Sequence, residues 1–378
     1  MSIRILSIIG TRPEAIKMAP VVQQLARTPG VESLVCTTAQ HREMLDQVLR
    51  LFAITPDIDL DLMRPNQSLA QITAAIFTHL DPVLNDLQPD WVLAQGDTTT
   101  VMATALLAYY RRIKFGHVEA GLRTGDKFQP FPEEINRRVA SVAADLHFAP
   151  TETSKQNLLK EGVPAGSIVV TGNPVIDALQ QVASQNPTDE IRRLLDELGI
   201  NDVVKSRLVL VTAHRRENFG QPLKNICLAL KMLAEAYDDI EILYPVHLNP
   251  NVQNIVYPLL EQIPNITLLP PLDYLPMVHL MKHARIVLTD SGGLQEEAPG
   301  LGVPVLVLRE VTERPEGIAA GTVRLVGANT AKIVAETKRL LDSPSEHAKM
   351  AQAVNPYGDG HAAERIVQAI LNFNQTVI

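Results

Sequence analysis

Three carboxylates stand where a short apolar run or a proline gives way to polar chain: Asp97 in Gln95-Gly96-Asp97-Thr98-Thr99-Thr100, Glu119 in His117-Val118-Glu119-Ala120-Gly121-Leu122-Arg123, and Glu133 in Phe131-Pro132-Glu133-Glu134-Ile135-Asn136-Arg137. A carboxylate fixed at such a point can take or return a proton, the work of general acid–base catalysis. Two of them also have a plainer use. Asp97 is placed to cap a helix beginning near Thr98. Glu133 and Arg137 have the i,i+4 spacing of a helix-surface ion pair, worth a few tenths of a kcal/mol. Three separated carboxylates point to proton chemistry more firmly together than singly.

A second set of residues suits an anion. Gly10-Thr11-Arg12-Pro13-Glu14-Ala15-Ile16-Lys17 reads as a strand end entering a helix, with Thr11 as the cap and Pro13 in the first turn. Arg12 and Lys17 then stand near the helix mouth, where a diphosphate meets two charges and unpaired backbone N–H groups. In Val211-Thr212-Ala213-His214-Arg215-Arg216-Glu217-Asn218, a histidine and two arginines follow an apolar run. They form an anion-facing turn or, more plainly, a loop anchored by its histidine. In Leu288-Thr289-Asp290-Ser291-Gly292-Gly293-Leu294-Gln295-Glu296-Glu297, two glycines let backbone N–H groups approach a phosphate and Ser291 adds a hydroxyl. Glu297, one turn on, can accept from a ribose diol, and Arg314 in Thr312-Glu313-Arg314-Pro315-Glu316 adds charge on the same edge. The segment from Tyr244 to Pro250, with Pro245 and His247, reads as a shaped loop. The chain contains neither G-x-G-x-x-G nor G-x-x-x-x-G-K-[ST], so a dinucleotide or P-loop site lacks its usual support.

The elements that must position these residues are legible as short apolar runs separated by helix-like stretches. Ile5–Ile9, Leu34–Thr37, Trp91–Gln95, Phe115–Val118, Leu146–Ala149 and Ile168–Thr171 read as strands, with Ala15–Arg27, Leu69–Leu87 and Thr99–Tyr110 as helices between some of them. Continuously apolar strands separated by helices predict an α/β fold with a doubly wound parallel sheet covered on both faces. After a polar gap at Ser184–Arg193 the pattern restarts in Leu208–Thr212, Ile242–Pro245, Ile266–Leu269, Ile286–Thr289, Val305–Leu308 and Val323–Val326. Two Rossmann-like domains follow, residues 1–172 and 173–357, with a final helix within 358–378 crossing back to the first. At 378 residues the chain also exceeds the roughly 250 to 300 at which one core stops growing. In such sheets, ligands bind at the carboxyl ends of the strands, where the candidate residues lie.

Composition narrows the partners. A net charge of −8, no Lys/Arg-rich run and few aromatics disfavour nucleic acid. No run approaches the roughly 18 apolar residues of a membrane span, and the apolar start of the chain is short enough to be a strand. Cys36 and Cys227 are alone and far apart, which supports neither a disulfide framework nor a cysteine-ligated metal and predicts a reducing compartment.

With these residues in order, the chain closely resembles the bacterial non-hydrolysing UDP-N-acetylglucosamine 2-epimerase family. The resemblance runs through Gly10-Thr11-Arg12-Pro13-Glu14-Ala15, Gln95-Gly96-Asp97, Glu119 to Arg123, Pro132 to Arg137, His214 to Asn218 and Ser291 to Glu297. It implies a glycosyltransferase-B-like fold with the active site in the interdomain cleft, and interconversion of UDP-GlcNAc with UDP-ManNAc without metal or nicotinamide. The implied route is elimination of UDP to 2-acetamidoglucal and re-addition, supplying ManNAc units for cell-surface polysaccharide, in a cytoplasmic homodimer. On matching positions, Asp97, Glu119 and Glu133 are the acid–base candidates. His214, Arg12, Ser291 and the Gly292-Gly293 backbone stabilise the departing diphosphate, Glu297 holds the ribose, and Lys17, Arg137, Arg215 and Arg314 complete the substrate contacts. Several bacterial members bind a second UDP-GlcNAc as an activator. The matching positions here include Gln40, Gln67, Glu133, Arg215 and His247, whereas Glu43 and Asn66 stand where an activator-dependent member carries Gln and Arg. The competing readings are a UDP-sugar glycosyltransferase, a hydrolysing epimerase that releases free ManNAc, and a nucleotide-sugar sensor without catalysis.

Overall fold

The computed structural model describes residues 2–38, 42–64, 66–197, 199–200 and 207–376. The chain divides into one unit of Met1–Ala178 with Tyr357–Ile378 and a second of Leu179–Pro356. The division falls inside the helix Pro174–Ala183, just after the Gly172 and Pro174 punctuation.

Unit 1 holds a seven-stranded parallel sheet of β1 (Ile3–Ile9), β2 (Val31–Thr37), β3 (Ile58–Asp59), β4 (Trp91–Gln95), β5 (Lys114–Val118), β6 (Leu146–Ala149) and β7 (Ile168–Val170), in the order β3-β2-β1-β4-β5-β6-β7. β4 and β6 are buried at every position, which is why they read as continuous apolar runs rather than alternating ones. β3 has only two residues at the sheet edge, too short to carry a periodic signal, and the sequence reading had no strand there. Leu6, Ile8, Val92 and Phe115 pack under Leu80, Leu84 and Leu107 of the covering helices. The last helix, Ala362–Thr376, returns to this unit. Its first two N–H groups, Ala362 N and Ala363 N, donate to Asp177 at 3.2 and 2.9 Å. At its far end Phe373 meets Trp91 edge-on at 5.3 Å.

Unit 2 repeats the plan with six parallel strands, β8 (Arg207–Thr212), β9 (Ile240–Pro245), β10 (Ile266–Leu269), β11 (Ile286–Thr289), β12 (Val305–Val307) and β13 (Val323–Leu325), in the order β10-β9-β8-β11-β12-β13. Part of the stretch read as a polar gap is a helix, Asp189–Glu197, whose Ile191 and Leu195 are buried at i,i+4 spacing. Val209, Val211, Ile242 and Leu288 of the sheet are buried against Ile226, Leu230 and Leu233 of the helix Gln221–Ala236.

Both sheets reverse direction beside their first strand, between β1 and β4 and between β8 and β11. At such a switch point the two flanking connections leave for opposite faces and open a crevice at the strand ends. The chain places Gly10 and Gly96-Asp97 at the first switch point and Ala213-His214 and Asp290-Ser291 at the second.

Candidate active site

At the unit 1 switch point, Thr11 caps the helix Arg12–Arg27 in a capping box with Glu14. Glu14 is buried, and one of its oxygens accepts Gly10 N and Thr11 N at 2.5 and 2.9 Å. The other accepts the Thr98 hydroxyl at 2.6 Å, which joins the end of β1 to the end of β4. Burial pushes the Glu14 carboxyl up to about 7 against the lowering effect of those donors. Arg12, at the first position of the helix, is half-buried and has no side-chain partner among the described residues.

Asp97 does not cap the next helix. Thr98 does, its hydroxyl accepting Val101 N, and this frees the Asp97 carboxylate to pair with Arg137 Nη2. Arg137 therefore does not form the i,i+4 pair with Glu133. It turns inward to Asp97 and, at 3.3 Å, to the fully buried Glu134, while Glu133 stays half-exposed at the first turn of Glu133–Ala143. Asn136 donates to the Asp97 carbonyl at 3.0 Å.

Glu119 leaves β5 in the left-handed region, at φ 62, and is buried. Its carboxylate accepts Lys17 Nζ at 2.6 and 2.8 Å, Asn173 Nδ2 at 2.9 Å and Gln95 Nε2. Lys17, expected beside a phosphate at the helix mouth, is thus bound to the carboxylate in this structure. Gln95 and Val118 are in register on β4 and β5, so Asp97 and Glu119 leave neighbouring strand ends. His117 on β5 gives Nε2–H to the Gly96 carbonyl at 2.7 Å and braces the turn carrying Asp97. Burial drives its imidazole down to about 3, so the ring stays neutral.

In unit 2 the Thr212 and Thr289 hydroxyls meet at 2.6 Å at the foot of the switch point. Asp290, fully buried, accepts His214 N and Arg215 N at 2.8 Å each and Asn218 Nδ2 at 2.9 Å through one oxygen, and so shapes the His214 loop. The His214 and His247 rings stack at 5.1 Å, and Arg215 is exposed. Burial lowers the His214 pKa, with His247 and Arg215 acting in the same direction and Asp290 against it.

The helix Gly292–Gly300 starts at Ser291, whose hydroxyl makes no capping bond. Neither Gly292 nor Gly293 has a positive φ, so backbone freedom is not what these glycines supply. A Cβ on Gly292 would lie 3.0 Å from Arg314 Nη1 and 3.1 Å from its Cζ. The missing side chain instead admits a guanidinium to the helix mouth. Arg314 is held there by Glu296 Oε1 and by Glu313 at 3.1 Å. Glu297 is buried one turn along, and its charge adds to the burial that raises the Tyr274 phenol well above its ordinary range. Of the activator positions, Gln67 is bound within its own loop, accepting Arg64 N at 2.7 Å and donating to Leu62 O at 3.2 Å. His247 stacks on His214, and Gln40 lies outside the described residues.

A profile of the family described as UDP-N-acetylglucosamine 2-epimerase matches residues 23–371. The chain belongs to this family. The UDP-N-acetylglucosamine 2-epimerase of Salmonella typhimurium (strain LT2) is 54% identical over 371 residues, 98% of this chain and 99% of that protein. The solved structure of the Neisseria meningitidis UDP-GlcNAc 2-epimerase bound to UDP-GlcNAc has a TM-score of 0.90 at 50% identity, covering 98% of this chain and 100% of that one. The Methanocaldococcus jannaschii UDP-GlcNAc 2-epimerase in complex with UDP-GlcNAc and UDP has a TM-score of 0.81 at 33% identity, covering 98% and 100%. The family's fold class is the α/β one read from the strand pattern, two Rossmann-like halves, and of the glycosyltransferase-B-like kind that the resemblance implied.

Sequence reasoning about this epimerase-family chain missed Glu14, Glu134, His117 and Asp290 as organisers of the site. Thr11-x-x-Glu14 carried a readable capping-box signal. His117 and Asp290 depend on contacts across 21 or more positions and left no local signal, while Glu134 stands at the i,i+3 helical spacing from Arg137.

Proposed function

We propose that this chain interconverts UDP-GlcNAc and UDP-ManNAc by eliminating UDP across C1 and C2 to 2-acetamidoglucal and adding it back after a proton returns to the opposite face of C2. The observation that carries the reading is the pair of carboxylates at neighbouring strand ends, Asp97 and Glu119, each fixed by a base, in a chain of this family. Removing the C2 hydrogen and returning it from the other side requires acid–base groups of this kind. Glu119 is held by several donors, Lys17 among them, which fixes one of these acid–base carboxylates in place. Glu133, half-exposed and without a hydrogen-bond or ion-pair partner among the described residues, suits proton exchange with solvent.

The leaving group builds charge on its diphosphate. Arg12, Arg215, Arg314, His214, Ser291 and the N–H groups of Gly292 and Gly293 supply donors and positive potential for it, the electrostatic stabilisation that favours a developing anion. Glu297 takes the ribose hydroxyls, and Arg137 keeps Asp97 in place. The same reading makes the protein a cytoplasmic homodimer that supplies ManNAc units for cell-surface polysaccharide. A second UDP-GlcNAc touching His247 would bear directly on His214.

The deciding experiment is proton NMR of the purified protein with UDP-GlcNAc in heavy water, with no added metal or nucleotide cofactor. The expected product is UDP-ManNAc lacking its C2 proton signal, with slower loss of that signal from UDP-GlcNAc as the reaction reverses. Full retention of the C2 proton in the product sinks the elimination route. A glycosyltransferase or a sensor leaves C2–H intact, and a hydrolysing enzyme accumulates free ManNAc.

A further inference from the structure

Asp290 is fully buried at the end of β11, and its two oxygens are treated unequally. One accepts His214 N, Arg215 N and Asn218 Nδ2. The other, Oδ1, is buried with no hydrogen-bond partner among the described residues. A buried carboxylate oxygen without a donor is costly, and the group that can relieve it is close. His214 Nδ1 lies 4.0 Å from Oδ1, on a side chain 37% exposed, so a small ring movement closes a hydrogen bond.

The surroundings fix which proton that bond uses. His247, stacked on His214, has its Nδ1 accepting Asn249 N at 3.1 Å, so its own proton sits on Nε2 and it offers nothing to Asp290. Arg215, the remaining charge facing His214, is on its own loop and opposes protonation, as does His247. Asp290 is the group that favours a charged ring. Without an anion the ring is neutral near pH 7, because burial outweighs Asp290.

We propose that Asp290 is the positioning residue of His214: its Oδ1 takes the Nδ1–H, turns Nε2 away toward the incoming diphosphate, and makes diphosphate binding take up a proton onto Nε2. This rests on the reading of His214 as a diphosphate ligand. The imidazolium is then held between two anions, donating from both nitrogens. The proton comes from solvent as the ligand binds and returns to solvent when it leaves. Because binding consumes a proton, affinity for UDP falls as pH rises through the ring's titration in the complex.

The test is calorimetric titration of UDP into the full-length protein near pH 7.5, where the terminal phosphate, with a second pKa of about 6, is already ionised. Repeating it in buffers of low and high ionisation enthalpy counts the protons taken up. The wild type is expected to take up roughly half a proton or more per UDP, and Asp290→Asn less than about a quarter of that. A merely structural Asp290 weakens binding equally at every pH and leaves the proton count unchanged. That result, or no uptake by the wild type, overturns the proposal. If Asp290→Asn does not fold, imidazole nitrogen NMR of the wild type decides, with His214 assigned by the loss of its signals in His214→Gln. The free ring is expected to carry its proton on Nδ1 and to gain one on Nε2 with UDP, and a free ring protonated on Nε2 alone overturns the proposal. Absence of any UDP binding sinks the functional reading, while the tautomer of the free ring still tests the Asp290 contact.

Discussion

At the scale of single residues, the site is built from pairs in which one member acts and the other places it. Asp97 is fixed by Arg137, and the Gly96 turn before it is braced by His117. Asp97→Asn keeps the shape and removes the charge, so turnover is expected to fall roughly 10²-fold or more. UDP affinity measured by calorimetry is expected to stay within a few-fold. Near-normal turnover in that variant would reduce Asp97 to an anchor for Arg137. Gly292 tests the other half of the reaction. Because a Cβ there meets the Arg314 guanidinium, Gly292→Val is expected to displace Arg314 from the helix mouth and weaken UDP binding by about tenfold or more, near 1.4 kcal/mol. Unchanged affinity in a folded variant removes this turn from the site.

At the scale of elements, Glu14 binds the start of Arg12–Arg27 to the cap of Thr99–Arg111 through the Thr98 hydroxyl. Its carboxyl is raised from 4.5 to about 7, so between those values the folded chain holds a proton that the unfolded chain has lost. Folding stability from this group is therefore complete below pH 4.5 and lost as pH rises toward 7, by roughly 3 kcal/mol at most. Glu14→Gln mimics the protonated form. It is expected to flatten that slope and to stabilise unit 1 above pH 7, as read by denaturant unfolding. Trp91, the single tryptophan of the chain, lies in unit 1 and provides the fluorescence signal. A slope that persists in the variant assigns it to another group.

At the scale of the whole chain, unit 1 is completed by its last residues, Tyr357–Ile378. Asp177 caps the returning helix through Ala362 N and Ala363 N, and Asn374 near its end accepts both Lys114 Nζ at 2.9 Å and Trp91 Nε1 at 3.2 Å. Asp177→Ala removes both cap bonds and is expected to cost about 1 to 2 kcal/mol. The loss should appear in the Trp91 unfolding transition and leave unit 2 unchanged. An equal shift in both units would mean that they unfold as one.

The strand series, both covered sheets, the restart of the pattern near Leu208 and the helix cap at Thr11 were set by local sequence. Apolar runs and capping residues act over a few positions, and there the sequence alone decides. The two-residue β3 and the helix Asp189–Glu197 were not legible, being too short or too polar to stand out. The partners of the site residues were decided by tertiary structure. Arg137 has two carboxylates within helical reach, Glu133 and Glu134, yet takes the buried Glu134 and the distant Asp97. Lys17 goes to Glu119 across the sheet, and Gly292 is needed for Arg314 rather than for its own backbone. Burial is the reason in each case, because a desolvated charge must find its counter-charge wherever the fold brings one, and sequence spacing does not record that distance.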